Sequence, residues 1–454
     1  MCTKIRFMVY NAYGIGGTVK TIFNFANYFQ ETGKYDVEII SIKRTRETPI
    51  LQNNSKVKII ALQDARREVN YSDEDRELLR RPSKLIFHEE ELYSMFNAYT
   101  DKKLKEYLES LHDGVLVTTM PSFNVLATTL VDDRVLKIGQ EHKSFADHTQ
   151  GIQELIRNNY GKLSALTILT ERNEHVYKRK IYGKLPIYVL GNGTERLLYR
   201  AILKNHVIIA AGRYAKEKGY DMLIKAFGKV ASENPDWVLK IYGNGNEERR
   251  YLKLVKEYDL VERVILEPAT NQLNEKFSEA SFQVCSSYRE GFGMSIIEGF
   301  AMGLPCVSFA CDGPREIITD GYDGIIVPKE DIEALAKSME RLMLDEKFRM
   351  ELGNNAYETS KKYDIHVIGE EFKQIVETEL KNKIGNLKEL NENEDLNRNS
   401  FLVTAPEIRH ISGEYKGDIY ENMICATSEG KVGFATIWKM VIGWFKYKWN
   451  KVVN

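Results

Sequence analysis

Two glutamates, separated by seven residues, flank a glycine-containing loop in the segment SSYREGFGMSIIEGFAMGLPCVSF. Glu290 comes before the Gly-Phe-Gly turn. Glu298 follows in the first turn or so of a helix-like run that we expect to begin near Met294 or Ser295. Paired carboxylates act as acid and base in enzymes that hydrolyse sugars. They also suit a clamp that accepts hydrogen bonds from the hydroxyl groups of a ligand. The spacing alone leaves both interpretations open.

Two basic residues occupy a comparable position in the segment AAGRYAKEKGYDML. Arg213 and Lys218 follow a predicted strand and precede a predicted helix. Two fixed cations there suit a diphosphate, because both can stabilise the negative charge that develops on a leaving group. The alternative is solvated surface charge, which is what we expect for Lys216.

A glycine-rich loop, NAYGIGGTVK, lies between the first predicted strand and the first predicted helix. Gly14, Gly16 and Gly17 let a ligand approach the backbone, and the helix N-terminus behind them favours an anion. The loop lacks the Gly-Lys-Ser/Thr of a phosphate loop and the last glycine of the dinucleotide fingerprint. A ligand loop and a tight turn between strand and helix therefore both remain possible.

A histidine follows another predicted strand, in KIGQEHKSFADH. His142 stands at the strand end, and His148 competes with it from the next segment. A single histidine is more often a structural residue than a functional one, so its spacing alone does not assign it.

These segments require a scaffold of alternating strands and helices. Short β-rich runs such as IRFMVY and HVIIAAG alternate with amphipathic helical patterns, which predicts parallel sheets in α/β domains. The pattern restarts near residue 205. We expect two facing doubly wound domains, residues 1–190 and 205–363, joined by a linker at about 191–205. The ligand site is expected in the cleft between them, at the carboxyl ends of the strands.

Composition excludes several classes of function. The net charge of −1 gives no indication of a nucleic-acid partner. Five cysteines form no C-x-x-C pair, which argues against a zinc site and for a reducing compartment. The first apolar run is too short for a signal peptide, and no run approaches the roughly 18 apolar residues of a membrane span. A cytoplasmic location is expected.

Two regions fall outside the alternating pattern. Residues 64–91 are dense in charge and are expected to form a solvated insertion in the first domain. Residues 381–454 are expected to be a flexible connector followed by a basic, aromatic tail. Five lysines and three tryptophans between residues 431 and 451 suit an anionic membrane surface. A helix packed on the body or on a partner subunit is the alternative.

Several of these motifs occur together, in order, in a known family. The segments REGFGMSIIEGFAMGLPCVSF and AGRYAKEKGYDMLIKAF closely resemble the signature of glycosyltransferase family 4, the retaining group 1 glycosyltransferases with the GT-B fold. IYGNGNEE and LGNGTE are similar to the family's glycine turns. The resemblance covers about residues 1–380. The segment 364–380 resembles the family's final helix, which packs back on the first domain, but it lacks the tryptophan often found near that helix's start.

The resemblance implies a role for each matching residue on the donor side. Arg213 and Lys218 correspond to the pair that binds the diphosphate and takes the place of a metal. Glu298 corresponds to the glutamate that holds the ribose, and Glu290 to the one beside the donor sugar. The amides of Phe292, Gly293 and Met294 correspond to those that contact the sugar or the phosphate, and Gly16 and Gly17 correspond to the first-domain loop over the diphosphate. Gly243 corresponds to the glycine near the nucleotide, and residues 267–272 correspond to the base-contacting loop. His142 corresponds to a histidine near the reacting carbon.

The implied function is transfer of a sugar, with retained anomeric configuration, from a nucleotide diphosphate donor, for which a UDP-sugar is favoured. The expected acceptor is a cell-envelope or lipid-linked glycan such as a capsule or teichoic acid, and no metal or other cofactor is expected. A sugar-nucleotide 2-epimerase of similar fold and a non-catalytic partner subunit are the alternatives. Neither would be expected to need the two glutamates together with Arg213 and Lys218.

Overall fold

The computed structural model describes residues 2–197 and 199–400, and for residues 386–400 it describes the helical backbone alone. Residues 1–384 form one compact unit. The tail segment 431–451, for which membrane contact was predicted, lies outside the described residues. Among the helices that the structure describes, none is long and apolar enough to cross a membrane.

The described strands form two parallel sheets, as the alternating pattern predicts. The N-sheet has the order β3-β2-β1-β4-β5-β6-β7, and the C-sheet has the order β10-β9-β8-β11-β12-β13. The N-sheet strands are β1 Thr3–Val9, β2 Tyr35–Arg44, β3 Lys58–Asp64, β4 Val115–Thr118, β5 Leu136–Gln140, β6 Ala165–Ile168 and β7 Ile187–Val189. The C-sheet strands are β8 Val207–Ala211, β9 Val238–Tyr242, β10 Val264–Glu267, β11 Phe282–Cys285, β12 Cys306–Phe309 and β13 Gly324–Val327.

Helices cover both faces of each sheet. Those around the N-sheet are α1 Gly17–Glu31, α2 Asp73–Arg80, α3 Ala98–Glu109, α4 Pro121–Leu130, α5 Gln150–Asn159 and α6 Glu171–Lys180. The others are α7 Tyr220–Val230, α8 Glu248–Glu257, α9 Leu273–Ser278, α10 Met294–Ala301, α11 Asp312–Ile317, α12 Ile332–Leu344, α13 Glu346–Ser360 and α14 Ile365–Ser400. Short 3-10 turns occur at Tyr93–Met95, Phe145–Asp147, Tyr160–Lys162, Lys216–Lys218 and Lys361–Tyr363.

The apolar strands explain why these elements form. In β1, Phe7 and Met8 are both fully buried although they point to opposite faces, since helices cover each side.

In each sheet the strand order reverses direction once. The loops after β1 and β4 flank this point in the N-sheet, and the loops after β8 and β11 flank it in the C-sheet. Ligands of doubly wound sheets bind at such a switch point.

The helix α14 returns the chain to the N-sheet. Phe372 packs against Phe7, Phe25 and Phe29, with ring centroids 4.9–6.4 Å apart. The prediction of a flexible connector from residue 381 is wrong over residues 381–400, which continue α14. This stretch is free of proline, and a helix anchored at one end continues through it although six of its twenty residues are asparagines, which are weak helix formers.

Two chain crossings join the sheets, at residues 190–206 and at residues 361–364, and they are hydrogen-bonded to each other. The amide of Thr194 donates to the carbonyl of Tyr363 at 2.8 Å, and the amide of Ile365 donates to the carbonyl of Thr194 at 3.0 Å. Asn24 of α1 also donates to the carbonyl of Gly193 at 2.8 Å.

The segment 64–91 is only partly the solvated insertion that its charge predicts. Helix α2 buries none of its residues, but the glutamates that follow are tied to the N-sheet helices. Glu90 accepts a hydrogen bond of 2.7 Å from the amide of Ser122, and Glu89 accepts one of 3.1 Å from the amide of Gly151. Both amides lie in the first turns of helices, where unpaired N–H groups favour a carboxylate.

Candidate functional site

The loops after β8 and β11 meet at the switch point of the C-sheet. The hydroxyl of Ser286 donates to the carbonyl of Lys218 at 2.8 Å, and the amide of Tyr288 donates to the carbonyl of Glu217 at 3.1 Å. Gly219 has a φ of 61°, and a Cβ there would lie 2.2 Å from the carbonyl oxygen of Ser286. A glycine is therefore required where the two loops touch.

Lys218 and Glu290 form the centre of the site. The ammonium of Lys218 lies 2.5 Å from Oε2 of Glu290, and both side chains are largely buried. Burial opposes the charged form of Lys218, but the adjacent Glu290 carboxylate outweighs it and raises the pKa of Lys218. The two loops thus hold a fixed cation and a fixed carboxylate together.

Arg213 lies at the rim of the same site. Its guanidinium is 2.9 Å from a carboxylate oxygen of Glu217 and 3.6 Å from one of Glu91. Glu91 belongs to the segment after β3 and also contacts the ammonium of Lys143. Burial opposes the charged form of Glu91, but Lys143 and Arg213 outweigh it and lower the pKa of Glu91. An ionic cluster therefore links the two sheets at the cleft mouth.

Glu298 lies one turn inside α10 with only 4% of its side chain exposed, and its partner comes from the N-sheet side. The ammonium of Lys20, on α1, is 2.9 Å from Oε1 of Glu298. Lys20 was not among the residues that the sequence suggested. The sequence did contain an indication of this residue, because Lys20 is the single charged residue of α1 before its last residue, Glu31.

The glycine loop approaches the glutamate loop. A Cβ on Gly17 would lie 3.6 Å from the side chain of Met294, and Gly16 caps α1. On the other side, Gly293 has a φ of 113° and its carbonyl accepts from the amides of Ile296 and Ile297. The amides at the start of α10 precede the first helical hydrogen bond, as at any helix N-terminus.

Phe292, in the turn between Glu290 and α10, is almost fully buried. Its ring packs edge-on against Tyr363, with centroids 5.8 Å apart. Its side chain therefore anchors the turn, and the predicted ligand contact falls to its backbone amide.

His142 lies beside this loop. A Cβ on Gly291 would be 2.7 Å from the carbonyl oxygen of His142. The ring nitrogen Nε2 of His142 is buried and has no hydrogen-bond partner among the described residues. Burial lowers the pKa of His142 to about 4, opposed by the charge of Glu141, so the imidazole is neutral at pH 7.

The competing His148 has a structural environment. Its Nε2 is 3.0 Å from Oε2 of the buried Glu141, which also contacts the hydroxyl of Tyr160 and the amide of Asn124. The carboxylate is thus fully partnered inside the protein. Of the two histidines, His142 is the one that borders the glutamate loop.

A cavity of about 740 Å³ lies between the loops after β1 and β2 on one side and the loops after β9 and β10 on the other. The loop at residues 46–50 and Ile15 line it from the N-sheet side. Asn244 and residues 269–271 line it from the C-sheet side, and the latter belong to the predicted base-contacting loop 267–272. Gly243 is not in the lining. A Cβ on Gly243 would lie 2.0 Å from the carbonyl oxygen of Gly212, so this glycine is needed for packing between β8 and β9.

The structure therefore gathers most of the predicted residues around one cleft, which are Gly16, Gly17, His142, Arg213, Lys218, Glu290, Phe292, Gly293, Met294 and Glu298. Sequence inspection missed Lys20, Glu91 and Lys143. The contact of Glu91 with Arg213 crosses between the sheets, and no local pattern in the sequence predicts it. Among the described residues, no cluster of three or more potential metal ligands occurs.

Comparison with known proteins agrees with this geometry. Residues 199–359 match the family model of glycosyl transferases, group 1. The chain is 30% identical over 384 residues to an exopolysaccharide phosphotransferase of Streptomyces coelicolor, and this match covers 82% of the chain but only 40% of that protein. An uncharacterized glycosyltransferase of Haemophilus influenzae is 29% identical over 384 residues, which cover 82% of the chain and 99% of that protein.

The fold also matches solved structures. A structure of Staphylococcus aureus TarM in complex with Fondaparinux, alpha-GlcNAc-glycerol and UDP superposes with a TM-score of 0.67 at 15% identity, covering 82% of this chain and 99% of TarM. The predicted GT-B fold, with two facing parallel sheets and their helices, is thereby confirmed.

Proposed function

We propose that this protein is a retaining glycosyltransferase that moves a sugar from a UDP-sugar to a cell-envelope glycan. One observation carries the proposal. A largely buried Lys218–Glu290 pair lies at the switch point of the C-sheet, where a doubly wound sheet binds its ligand. Group 1 similarity over the same residues supports it.

The proposed chemistry begins with the leaving diphosphate. Lys218 and Arg213 stabilise the negative charge that grows on the phosphate oxygen as the glycosidic bond breaks. Glu290, next to Lys218, faces the sugar in this proposal, where its carboxylate stabilises positive charge at the anomeric carbon. The acceptor hydroxyl attacks from the same face, and the leaving phosphate oxygen takes its proton. No enzymic nucleophile is required, and the two cations replace a metal.

The cavity between residues 46–50 and 269–271 supports a nucleotide position. Its volume suits a base and ribose, and its lining includes part of the loop 267–272, which the family resemblance assigns to the base. UDP is the favoured nucleotide, since TarM is described in complex with UDP.

The acceptor proposal has separate support. The similar proteins include one named for exopolysaccharide and a structure containing alpha-GlcNAc-glycerol. We therefore propose an envelope polymer or a lipid-linked glycan. Work at the inner face of the cell membrane, with residues 431–451 in contact with anionic lipid, would follow from that acceptor.

The test is a donor panel. The purified protein is incubated with UDP-, GDP- and ADP-sugars, and released nucleoside diphosphate and free sugar are measured, since slow hydrolysis reveals the donor without an acceptor. Release of a nucleoside diphosphate with sugar of retained configuration supports the proposal.

Two outcomes point elsewhere. An altered sugar nucleotide, with no diphosphate released, indicates the epimerase. Binding of nucleotide with no turnover, even with polymer acceptors, indicates the non-catalytic subunit.

A further inference from the structure

Lys20 is the one ionic partner of Glu298 among the described residues. Its ammonium lies 2.9 Å from Oε1, and its side chain is 29% exposed while that of Glu298 is 4% exposed. This ion pair fixes one oxygen of a buried carboxylate, and it thereby constrains the orientation of the whole group.

Rigid elements fix this contact on both sides. Lys20 lies in the second turn of α1, where its amide donates to the carbonyl of Gly16 at 2.9 Å. The hydroxyl of Thr21, the next residue, lies 3.8 Å from the sulfur of Met294, which begins α10. The N-terminal parts of α1 and α10 are thus packed together, and the lysine and the carboxylate are held in register.

An oriented carboxylate can serve two kinds of partner at once. A carboxylate has about four acceptor positions, so one oxygen can face Lys20 while the other accepts hydrogen bonds from two neighbouring hydroxyls. A ribose presents its 2′ and 3′ hydroxyls side by side, so a carboxylate whose orientation is fixed in advance is suited to accept hydrogen bonds from both.

We infer that Lys20 is a positioning residue of the donor site, which holds the Glu298 carboxylate in the orientation that faces the ribose hydroxyls of a nucleoside diphosphate. This inference rests on the proposed function, because it takes Glu298 to face the ribose. It adds a residue from the N-sheet side to a subsite otherwise built from the C-sheet. Lys20 acts through Glu298 and does not touch the reacting atoms.

Calorimetric titration with UDP and with 2′,3′-dideoxy-UDP separates this role from others. We expect wild-type protein to prefer UDP by roughly tenfold to a hundredfold, the effect of hydrogen bonds to a charged acceptor. Lys20→Met should reduce this preference to less than about threefold, and Lys20→Arg should restore most of it. Lys34→Met is the matched control, since Lys34 lies 3.8 Å from Glu377 and is largely exposed.

Each result decides the question. If Lys20→Met weakens the binding of UDP and of 2′,3′-dideoxy-UDP equally, Lys20 attracts the diphosphate directly. If the preference for UDP is unchanged in Lys20→Met, the contact with Glu298 has no function in binding. Either overturns the inference. If Lys20→Met does not fold, Lys20→Gln and Glu298→Gln are compared. The inference is overturned equally if Glu298→Gln loses the preference for UDP while Lys20→Gln keeps it.

Failure of the underlying function has a different signature. Wild-type protein that binds neither UDP, GDP nor ADP would refute the nucleotide site, and the role of Lys20 with it. Wild-type protein that binds UDP without discriminating the dideoxy form would leave the donor site standing and overturn the inference alone.

Discussion

At the residue scale, the site depends on charges that are held in place before a ligand arrives. Lys218 is largely buried and remains charged because Glu290 is 2.5 Å away. A surface lysine would have to be ordered at the moment of reaction, which costs side-chain entropy. Lys218 and Glu290 are already ordered in the folded protein, so they lose little further side-chain entropy when a ligand binds.

The first prediction concerns the two cations. Lys218→Ala and Arg213→Ala should each lower kcat/KM for donor turnover about a hundredfold or more, the usual effect of removing a preorganised stabiliser of developing charge. Lys216→Ala is the matched control, because Lys216 is exposed in the same turn. Circular dichroism verifies the fold. Wild-type rates in either site variant would contradict the assignment.

The second prediction separates binding from chemistry at Glu290. Glu290→Gln keeps the size and hydrogen-bonding reach of the side chain and removes its charge. We expect donor KM within about threefold of wild type and kcat lowered by about tenfold or more, because the lost charge acts in the transition state. A change confined to KM would make Glu290 a binding residue only.

The third prediction concerns His142, whose pKa burial lowers to about 4. In the unfolded chain a histidine takes up a proton near pH 6.5. The unfolded state therefore binds more protons between about pH 6.5 and pH 4, and the free energy of unfolding falls as the pH drops through that window. His142→Gln should lose this component in urea titrations at several pH values. An identical pH slope in both proteins would argue against the buried neutral imidazole.

Sequence patterns located the site better on the C-sheet side than on the N-sheet side. On the C-sheet side the predicted residues lie in the loops that follow β8 and β11, namely Arg213, Lys218 and Glu290. The strand before each loop determines where that loop lies in the fold. Lys20 and Glu91 act across the cleft, and their partners depend on how two sheets face each other. Gly243 shows a different limit, because the sequence does not distinguish a glycine required by backbone packing from one required by a ligand.

At the element scale, α14 joins the first core to the end of the described chain. Its residues Ile365, Ile368, Phe372 and Val376 are buried with the N-sheet and α1. Strands were predictable because apolar runs bounded by turn residues are short and buried. The helical continuation to Ser400 was not, because a polar composition with little periodicity does not distinguish a helix from a connector.

The fourth prediction tests that helix. Phe372→Ala should lower the free energy of unfolding by about 3–5 kcal/mol, the range for truncating a buried phenylalanine. Val367→Ala, on the exposed side of the same helix, should change it by less than about 0.5 kcal/mol. Urea denaturation followed by circular dichroism measures both. Equal effects would mean that α14 does not pack as described.

At the scale of the whole molecule, ion pairs bridge the cleft between the two sheets. Glu91 lies 3.6 Å from Arg213, so in the proposed function its carboxylate competes with the donor diphosphate for that cation. Both side chains are more than half exposed, so solvent screens the pair.

The fifth prediction follows from this competition. Glu91→Gln should tighten UDP binding by a factor of about two to five, since an exposed pair is worth about 0.2–1 kcal/mol. Glu77→Gln, whose contact with Arg81 lies within the same segment, is the control. Calorimetric titration at low salt measures the difference, and weaker binding in Glu91→Gln would assign that carboxylate to the donor site itself.

The paired crossings at Thr194 and Asp364 have a mechanical consequence. A single covalent link would let the two halves swing, twist and slide about one point. Two links, hydrogen-bonded side by side, remove most of those degrees of freedom and leave rotation about an axis through both. The rotation that remains preserves the register of α1 and α10. The two crossings therefore help to keep Lys20 opposite Glu298.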